Sequence, residues 1–220
     1  MTNPSAPHAD DATSTTAPPS PDLPSDEQIR ALHQRHAPTR VAFDLVHTHC
    51  VVVAAVAAQL LERRRQPLDA ALVRAGCLLH DVGVYRLYDE HGRIDRAAYL
   101  RHGVLGEELL REEGYPPVLA RFCSHHTGVG LTTQDVVREH LPLPVADYLA
   151  GTPEEELVMY ADTFHSKSDP PTFATSFRAR RQLARFGPDK VARFDAFVAR
   201  FGVPDLAPLA ARFGHSVRDA

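Results

Sequence analysis

Cysteine is scarce in this sequence, and the three that are present, Cys50, Cys77 and Cys123, include no C-x-x-C pair. Each lies among small or apolar neighbours, which predicts buried free thiols in a reducing compartment. The N-terminus also lacks a basic segment followed by an apolar core, so we expect no secretory signal. The longest apolar run, residues 50–58, is about half of what a membrane span needs. These absences predict a cytoplasmic protein with no membrane partner.

Positive charge is not in excess either. The 24 lysine and arginine residues are outnumbered by 28 aspartate and glutamate residues, and the formal net charge is −4. Without a broad positive field, nucleic acid is not an expected partner. Tryptophan is absent and aromatic residues make up only 7% of the chain, yet there are 13 histidines. Histidine is the one compositional outlier, and it indicates metal binding or proton transfer.

The sequence divides into a polar tail and one folded region. Residues 1–24 are rich in proline, serine, threonine, alanine and aspartate, and such a segment buries too little apolar surface to offset its ordering entropy. We therefore predict a disordered tail over 1–24 and a single domain over 25–220, a length that suits one domain. Ser25, with Gln28 three residues further on, is the predicted N-cap of the first helix.

Nearly every segment of the folded region has helical periodicity, in which apolar residues recur three and four positions apart. Capping residues mark two further helix starts, at Asp95 and at Thr152, which is followed by Pro153 and Glu155. The main predicted helices cover residues 43–61, 68–80, 96–113, 118–124 and, in a C-terminal group over 172–212, residues 172–186 and 188–201. No convincing alternating run indicates a strand. The sequence therefore predicts an all-α fold.

Histidine and aspartate residues near the ends of these predicted helices form the candidate site. Seven stand out by their context: His47, His80, Asp81, His102, His125, His126 and Asp162. A helix bundle can gather such residues from several helices into one pocket. Imidazole and carboxylate groups without thiolates suit Fe, Mn, Co, Ni or Zn. His49 lies about 200° from His47 around a helix of 3.6 residues per turn, so we expect it to face away from this site.

The order of these residues resembles the H…HD…D pattern of the HD-domain superfamily of metal-dependent phosphohydrolases. His47 comes first, the sequence LLHDVG over residues 78–83 carries the adjacent histidine and aspartate, and Asp162 comes last. The segments HGVLG over 102–106 and SHHTG over 124–128 look like the two additional histidine motifs of the binuclear branches. The resemblance implies a helical bundle like that of the HD domain.

The resemblance, which covers roughly residues 38–168, also implies a metal centre. One metal would be held by four side chains: His47, His80, Asp81 and Asp162. Asp81 would bridge to a second metal, completed by His102 and by one of the adjacent residues His125 and His126. Of these two we favour His125 as the ligand, with His126 as a second ligand or a phosphate contact. The implied cofactor is one or two divalent transition-metal ions.

The activity that the resemblance implies is hydrolysis of a small phosphorylated molecule, with a nucleotide favoured. Two metals a few ångströms apart make a bridging water acidic and hold the phosphoryl oxygens. Phosphate also needs positively charged partners. Arg86 follows Asp81 by five positions, and Lys167 follows Asp162 by five positions. The expected catalytic residues are Asp81, His102, His126 and Lys167, and the expected substrate contacts are Arg86 and Lys167.

Two other functions remain open from the sequence. A set of four histidines and two aspartates also resembles the mixed-valent di-iron oxygenases of the same fold, which cleave C–C or C–P bonds. A regulatory or binding domain that keeps a metal for its structure is a third interpretation, and the intact set of ligand residues argues against it. Iron in a coloured, oxygen-sensitive form would favour the oxygenase, whereas phosphate release activated by Mn, Co or Ni would favour the hydrolase.

Overall fold

The computed structural model describes residues 23–63 and 68–219. Over these ranges the chain forms ten α-helices: α1 (Asp26–His36), α2 (Arg40–Glu62), α3 (Ala70–Leu79), α4 (His102–Glu112), α5 (Pro117–Ser124), α6 (Thr133–Arg138), α7 (Pro153–Asp162), α8 (Ser176–Leu183), α9 (Pro188–Phe201) and α10 (Leu206–Phe213). The other described elements are three 3₁₀ helices, Val82–Leu87, Tyr99–Arg101 and Ala184–Phe186, and three strands, β1 (His165–Ser166), β2 (Thr172–Ala174) and β3 (Ser216–Arg218). The predicted helical fold is confirmed. Most of the predicted tail, residues 1–22, lies outside the described residues.

Capping side chains begin two helices where the sequence predicted them. Ser25 Oγ accepts a hydrogen bond from the Gln28 amide, and the Gln28 side chain accepts one from the Ser25 amide, which completes a capping box at α1. At the start of α7, Thr152 accepts a hydrogen bond from the amide of Glu155, with Pro153 in the first turn. These hydrogen bonds can be predicted from the sequence because both partners lie within one helical turn.

The helix start predicted at Asp95 is wrong. The Asp95 side chain accepts hydrogen bonds from the amides of Ala97 and Ala98, which makes a turn that leads into the 3₁₀ helix Tyr99–Arg101, and α4 begins only at His102. Aspartate forms such turns with the same kind of local bond that it uses as an N-cap. The sequence signal was therefore real, but it belongs to a turn.

The C-terminal group of helices includes a small sheet that sequence periodicity did not indicate. β2 pairs with β1 in antiparallel register and with β3 in parallel register. The helix predicted over 172–186 therefore begins only at Ser176, as α8. Strands of two and three residues are too short to show an alternating pattern, and the partners lie far apart in the chain. The sheet brings the C-terminal part of the chain beside the end of α7.

α2 is the central helix of the core and packs against α1, α3, α7 and α10. By length and composition α2 could cross a membrane, with a mean hydropathy of 1.8, but 56% of that apolar window is buried inside the fold. A buried core helix meets the same criteria of length and hydropathy, and more than half of the apolar window of α2 is buried, as in a core helix. Its buried face includes His49 among apolar side chains such as Val46 and Val53.

An aromatic cluster holds α9 against α7. The ring of Tyr160 in α7 contacts three rings of α9: Phe194, Phe197 and Phe201, at centroid distances between 5.6 and 5.9 Å. Tyr160 Oη also donates a hydrogen bond of 2.7 Å to the carbonyl of Gly202. Buried aromatic pairs stabilise a core beyond their apolar area. Because Asp162 follows Tyr160 by two residues, this cluster anchors the end of α7 that carries a candidate ligand.

Gly83 determines how closely the segment after the adjacent histidine and aspartate approaches α4. A Cβ at this position would overlap the carbonyl oxygen of His102 and the amide nitrogen of Gly106. Only glycine therefore lets the 3₁₀ helix Val82–Leu87 pack directly on the first turn of α4. This contact brings Asp81 beside His102.

We expect Gly83→Ala to lower the free energy of unfolding by ~3 kcal/mol, because the 3₁₀ helix or α4 must move to accept the methyl group. Gly114→Ala is the matched control. No described atom lies within 4 Å of a Cβ built there, and only its φ of +78° is unfavourable, which costs ~1 kcal/mol. Urea denaturation of both variants measures the two losses. Equal losses at the two positions would contradict this account of the contact.

Candidate metal centre

Six side chains converge from separate elements of the fold. They are imidazole and carboxylate groups from α2, the segment after α3, the start of α4, the segment after α5 and the end of α7: His49, His80, Asp81, His102, His126 and Asp162. They form three overlapping groups, in each of which the ligand atoms lie within 4.8 Å of one another. All six are buried except Asp162, which is partly exposed. Groups from across the chain therefore share one small volume.

Three of these histidines are oriented by carbonyl groups of their own local segment. Nδ1 of His80, His102 and His126 lies 2.7, 2.7 and 2.6 Å from the carbonyl oxygen of the residue three positions earlier. A carbonyl can only accept a hydrogen bond, so Nδ1 carries a hydrogen in each ring, and in the neutral form of the ring the lone pair is on Nε2. Metal-binding histidines commonly hold their second nitrogen in this way.

Asp81 lies between two pairs of imidazoles. Its Oδ2 is 3.3 Å from His49 Nε2 and 3.6 Å from His80 Nε2. Its Oδ1 is 3.5 Å from His102 Nε2 and 3.7 Å from His126 Nε2. One carboxylate therefore presents a separate oxygen to each pair, which is the arrangement of a residue that bridges two ligand sets.

Asp162 completes the side of the centre that contains His49 and His80. Its Oδ1 is 2.9 Å from His49 Nε2 and 3.5 Å from His80 Nε2. Burial by itself would raise the pKa of Asp162, but its hydrogen bonds with these two histidines outweigh burial and hold it well below its usual range. Burial by itself would lower the pKa of His80, but nearby Cys50, Asp81 and Asp162 raise it well above its usual range, so His80 would release a proton when it binds a metal through Nε2. Burial and the nearby ammonium of Lys167 lower the pKa of His49 to about 4. At neutral pH His49 is therefore in the neutral form that metal binding requires.

The other side of the centre consists of acceptors that face one another. His102 Nε2 and His126 Nε2 are 3.0 Å apart, and both carry lone pairs because each Nδ1 donates to a carbonyl. Burial lowers the pKa of both rings, that of His126 to about 3, so both are neutral at neutral pH. Asp81 Oδ1, buried beside them, has no hydrogen-bond partner among the described residues. Such a cluster is stabilised by a cation, and its nitrogen and oxygen donors fit a divalent transition metal.

Lys167 brings an ammonium group to this centre. Nζ forms an ion pair with Asp81 Oδ2 and lies 6.0 Å from the ring centroid of Tyr99. Burial by itself would raise the pKa of Asp81, but Lys167 and the surrounding histidines outweigh it and hold that pKa well below its usual range. α7 ends at Asp162 and the chain turns into β1, which is why a residue five positions further on reaches the centre.

His47 is not one of the converging residues, so the structure corrects that prediction, and His49 takes its place. His47 stacks on the ring of Phe43, with centroids 4.9 Å apart and the planes 12° from parallel. The expected angular separation of the two histidines on α2 is correct, but the wrong one was assigned to the centre. Three positions before His49 lies buried Val46, whereas three positions before His47 lies exposed Asp44. That neighbour pattern could have identified the inward histidine.

Of the adjacent histidines, the structure brings His126 to the centre, not the favoured His125. His125 Nδ1 lies 2.5 Å from Ser124 Oγ, and its ring centroid is 5.9 Å from that of Tyr148. The two side chains diverge because they follow each other directly at the end of α5. His125 is therefore not positioned as a ligand.

Arg86 is also directed away from the centre. Its guanidinium pairs with Glu112 near the end of α4, because the 3₁₀ helix after Asp81 turns this side chain outward. A role for Arg86 as a substrate contact is therefore not supported. The predicted site residues that the structure does bring together are His80, Asp81, His102, His126, Asp162 and Lys167.

Two histidines that the sequence did not single out as site residues extend the centre outward. His49 Nδ1 lies 2.8 Å from His165 Nδ1, and His165 Nε2 lies 3.0 Å from His215 Nδ1. Burial and the neighbouring imidazoles lower the pKa of His165 to about 2, so this ring is neutral and has one donor and one acceptor. His165 begins β1 and His215 directly precedes β3. Since the strands pair over a long sequence distance, no local signal could have identified this chain of histidines.

Curated proteins with similar sequences cover part of this chain. An uncharacterized protein of Methanocaldococcus jannaschii is 38% identical over 117 residues, which are 52% of this chain and 62% of that protein. The tRNA (cytidine(56)-2'-O)-methyltransferase of Picrophilus torridus is 34% identical over 125 residues, which are 57% of this chain and 33% of that enzyme. The chain thus spans less than two thirds of the length of these relatives.

Among solved structures, the HD domain of the L. monocytogenes phosphodiesterase PgpH is similar to this fold. It has a TM-score of 0.45 and 17% sequence identity, and the match covers 78% of this chain and 95% of that domain. The same domain in complex with cyclic-di-AMP gives a TM-score of 0.47 and 16% identity, over 86% of this chain and 99% of that domain.

The segment that carries the converging side chains matches a described family. The family model of the HD domain matches residues 46–167, which is more than half of the 220 residues. All six converging side chains lie within the matched range. The chain belongs to the HD-domain family, within the superfamily of metal-dependent phosphohydrolases.

Proposed function

We propose that this chain is a metal-dependent phosphohydrolase that releases phosphate from a small phosphorylated molecule, with a nucleotide as the favoured class. The observation that carries the proposal is the position of Asp81, whose two oxygens each face a pair of imidazoles. Membership of the HD-domain family supports the same class of reaction. The described part of the chain also has an ammonium group at this centre, that of Lys167, which suits an anionic substrate.

The residues proposed to hold metal form two sets that share Asp81. One set is His49, His80, Asp81 and Asp162, and the other is Asp81, His102 and His126. Fe, Mn, Co, Ni and Zn all suit such ligands, and the proposal includes either one ion or two. When bound, such ions supply an acidified water as the nucleophile and neutralise phosphoryl oxygens.

Lys167 is proposed to neutralise charge on the phosphoryl oxygens of the substrate. Its side chain is mostly buried, and it lines a cavity together with Asp162. The carboxylate of Asp81 and the ring of Tyr99 hold Nζ in position. A charge that is already oriented in a site with little water stabilises developing negative charge at a low reorganisation cost.

Metal loading followed by a phosphate-release screen tests the proposed function. The purified chain is stripped of metal, reloaded separately with Fe, Mn, Co, Ni or Zn, and assayed with nucleotides and sugar phosphates. We expect metal-dependent release of phosphate from at least one of these esters. Consumption of oxygen by the iron-loaded chain, with no phosphate released from any ester, would instead favour the oxygenase.

We expect His49→Ala to weaken metal binding by more than the ~10–100-fold that loss of an outer partner of a ligand costs, because it removes a ligand atom. His47→Ala is the matched control, two residues away on the same helix, and should bind metal as the unchanged chain does. Metal content after dialysis, together with calorimetric titration, measures both. Metal loss in His47→Ala and retention in His49→Ala would reverse the assignment.

We expect Lys167→Met to lower kcat/KM by ~100-fold, equivalent to ~2.7 kcal/mol, while metal content stays unchanged. The reason is that a methionine fills similar space without the ammonium group. Arg86→Met is the control, since Arg86 pairs with Glu112 outside the centre. Kinetics on the ester found in the screen, with metal analysis of each variant, give the comparison. Equal effects of the two substitutions would remove the proposed role of Lys167.

A further inference from the structure

The cavity beside the metal centre is lined mainly by basic charged side chains, whereas the whole chain has a net negative charge. It has a volume of about 820 Å³ and reaches Asp162 and Lys167. Three arginines from separate segments also line it: Arg96, Arg178 and Arg218. Among the described lining residues, Asp162 is the only acidic one, although acidic residues outnumber basic ones in the chain. The lining therefore favours an anionic ligand.

Thr175, which directly follows β2, forms backbone-linked hydrogen bonds with two of these arginines, Arg218 in β3 and Arg178 in α8. Arg218 is the parallel register partner of Ala174 in β2, and its carbonyl accepts a hydrogen bond of 3.1 Å from the Thr175 amide. Thr175 Oγ1 accepts a hydrogen bond of 3.3 Å from the amide of Arg178 in the first turn of α8. Ala174 also lines the cavity, so this end of the sheet faces it. The backbone positions of both arginines are therefore set by paired structure.

Aromatic side chains form another part of the lining. Tyr88 and Tyr99 both contribute to it, and Tyr88 is joined by an antiparallel bridge to Ile94, which lines the cavity as well. Tyrosine rings of this kind can pack against a flat ring of a ligand. The Tyr99 ring also lies close to the ammonium of Lys167. The cavity thus combines ring-binding surface with cations at more than one position.

We propose that the substrate carries a second phosphate, apart from the one that reacts, and that Arg178 and Arg218 bind it. A nucleoside bisphosphate is the class that fits, with its base against Tyr88 or Tyr99. The inference rests on the proposed function, because it takes the reacting phosphate to lie beside Lys167. Guanidinium groups match phosphate oxygens with two parallel hydrogen bonds. Arg178 and Arg218 line the same cavity as Lys167 but are positioned beside the small sheet, so they offer the same ligand a second position for a phosphate.

The test compares two probes that differ by one phosphate, AMP and adenosine 3′,5′-bisphosphate. Equilibrium binding to the full chain is measured by calorimetry with a chelator present, so that neither probe is turned over. We expect the bisphosphate to bind about tenfold more tightly than AMP, and Arg178→Gln and Arg218→Gln each to remove most of that preference. Arg181→Gln is the control, since it makes the same charge change on α8, stacks on Phe177 and lies outside the cavity lining formed by the described residues.

Equal affinity for the two probes, or a preference unaltered in both Arg178→Gln and Arg218→Gln, would overturn the inference. An equal loss of preference in Arg181→Gln would also overturn it, because the effect would then come from overall charge. Binding and turnover separate this inference from the proposed function. If the arginines set the preference but the metal-loaded chain releases no phosphate from any ester, the second-phosphate site stands and the proposed function fails.

Discussion

The structure depends on the burial of one carboxylate. Asp81 has no exposed surface, and an unpaired charge in such a position would cost several kcal/mol. Its partners are the ammonium of Lys167 and four imidazoles that come from different elements. The helices must therefore end or begin at one place: α3 ends two residues before Asp81, α4 begins at His102 and α7 ends at Asp162. The helix ends that define the packing of the bundle therefore also define the position of the candidate metal centre.

The histidines of the centre are held in two different ways. Those at helix ends use a carbonyl three positions earlier. For His80 and His126 this is a carbonyl in the last turn of α3 or α5, which a helix C-terminus leaves without a helical partner. For His102 it is the Tyr99 carbonyl, which also accepts a hydrogen bond from the His102 amide. His49 lies in the middle of α2, where the carbonyls are already bonded within the helix, so its Nδ1 meets His165 instead. His165 and His215 belong to the region of the small sheet. The sheet therefore supports the centre on one side and carries one arginine of the cavity lining, Arg218, on another.

Much of the fold could be predicted because its determinants are local. Helical periodicity, the capping box at Ser25 and the proline-marked start at Thr152 each involve residues within about one turn. The prediction was wrong at Asp95, where the same local bond serves a turn. It was also wrong where β2 replaces the first residues of a predicted helix, because pairing with β3 depends on residues far along the chain. A single sequence contains no periodic signal for strands this short.

The sequence by itself determined the family and the helical class, and it predicted the imidazole and carboxylate groups of the candidate centre, because adjacent and ordered histidines and aspartates can be recognised without coordinates. Only the tertiary structure decided which histidines converge at the candidate centre: His49 where His47 was predicted, and, of the two predicted neighbours, His126 and not the favoured His125. It also placed Arg218, near the C-terminal end, in the cavity beside Lys167. Direction around a helix and pairing between strands depend on which face packs against the core, and that is a property of the whole assembled chain.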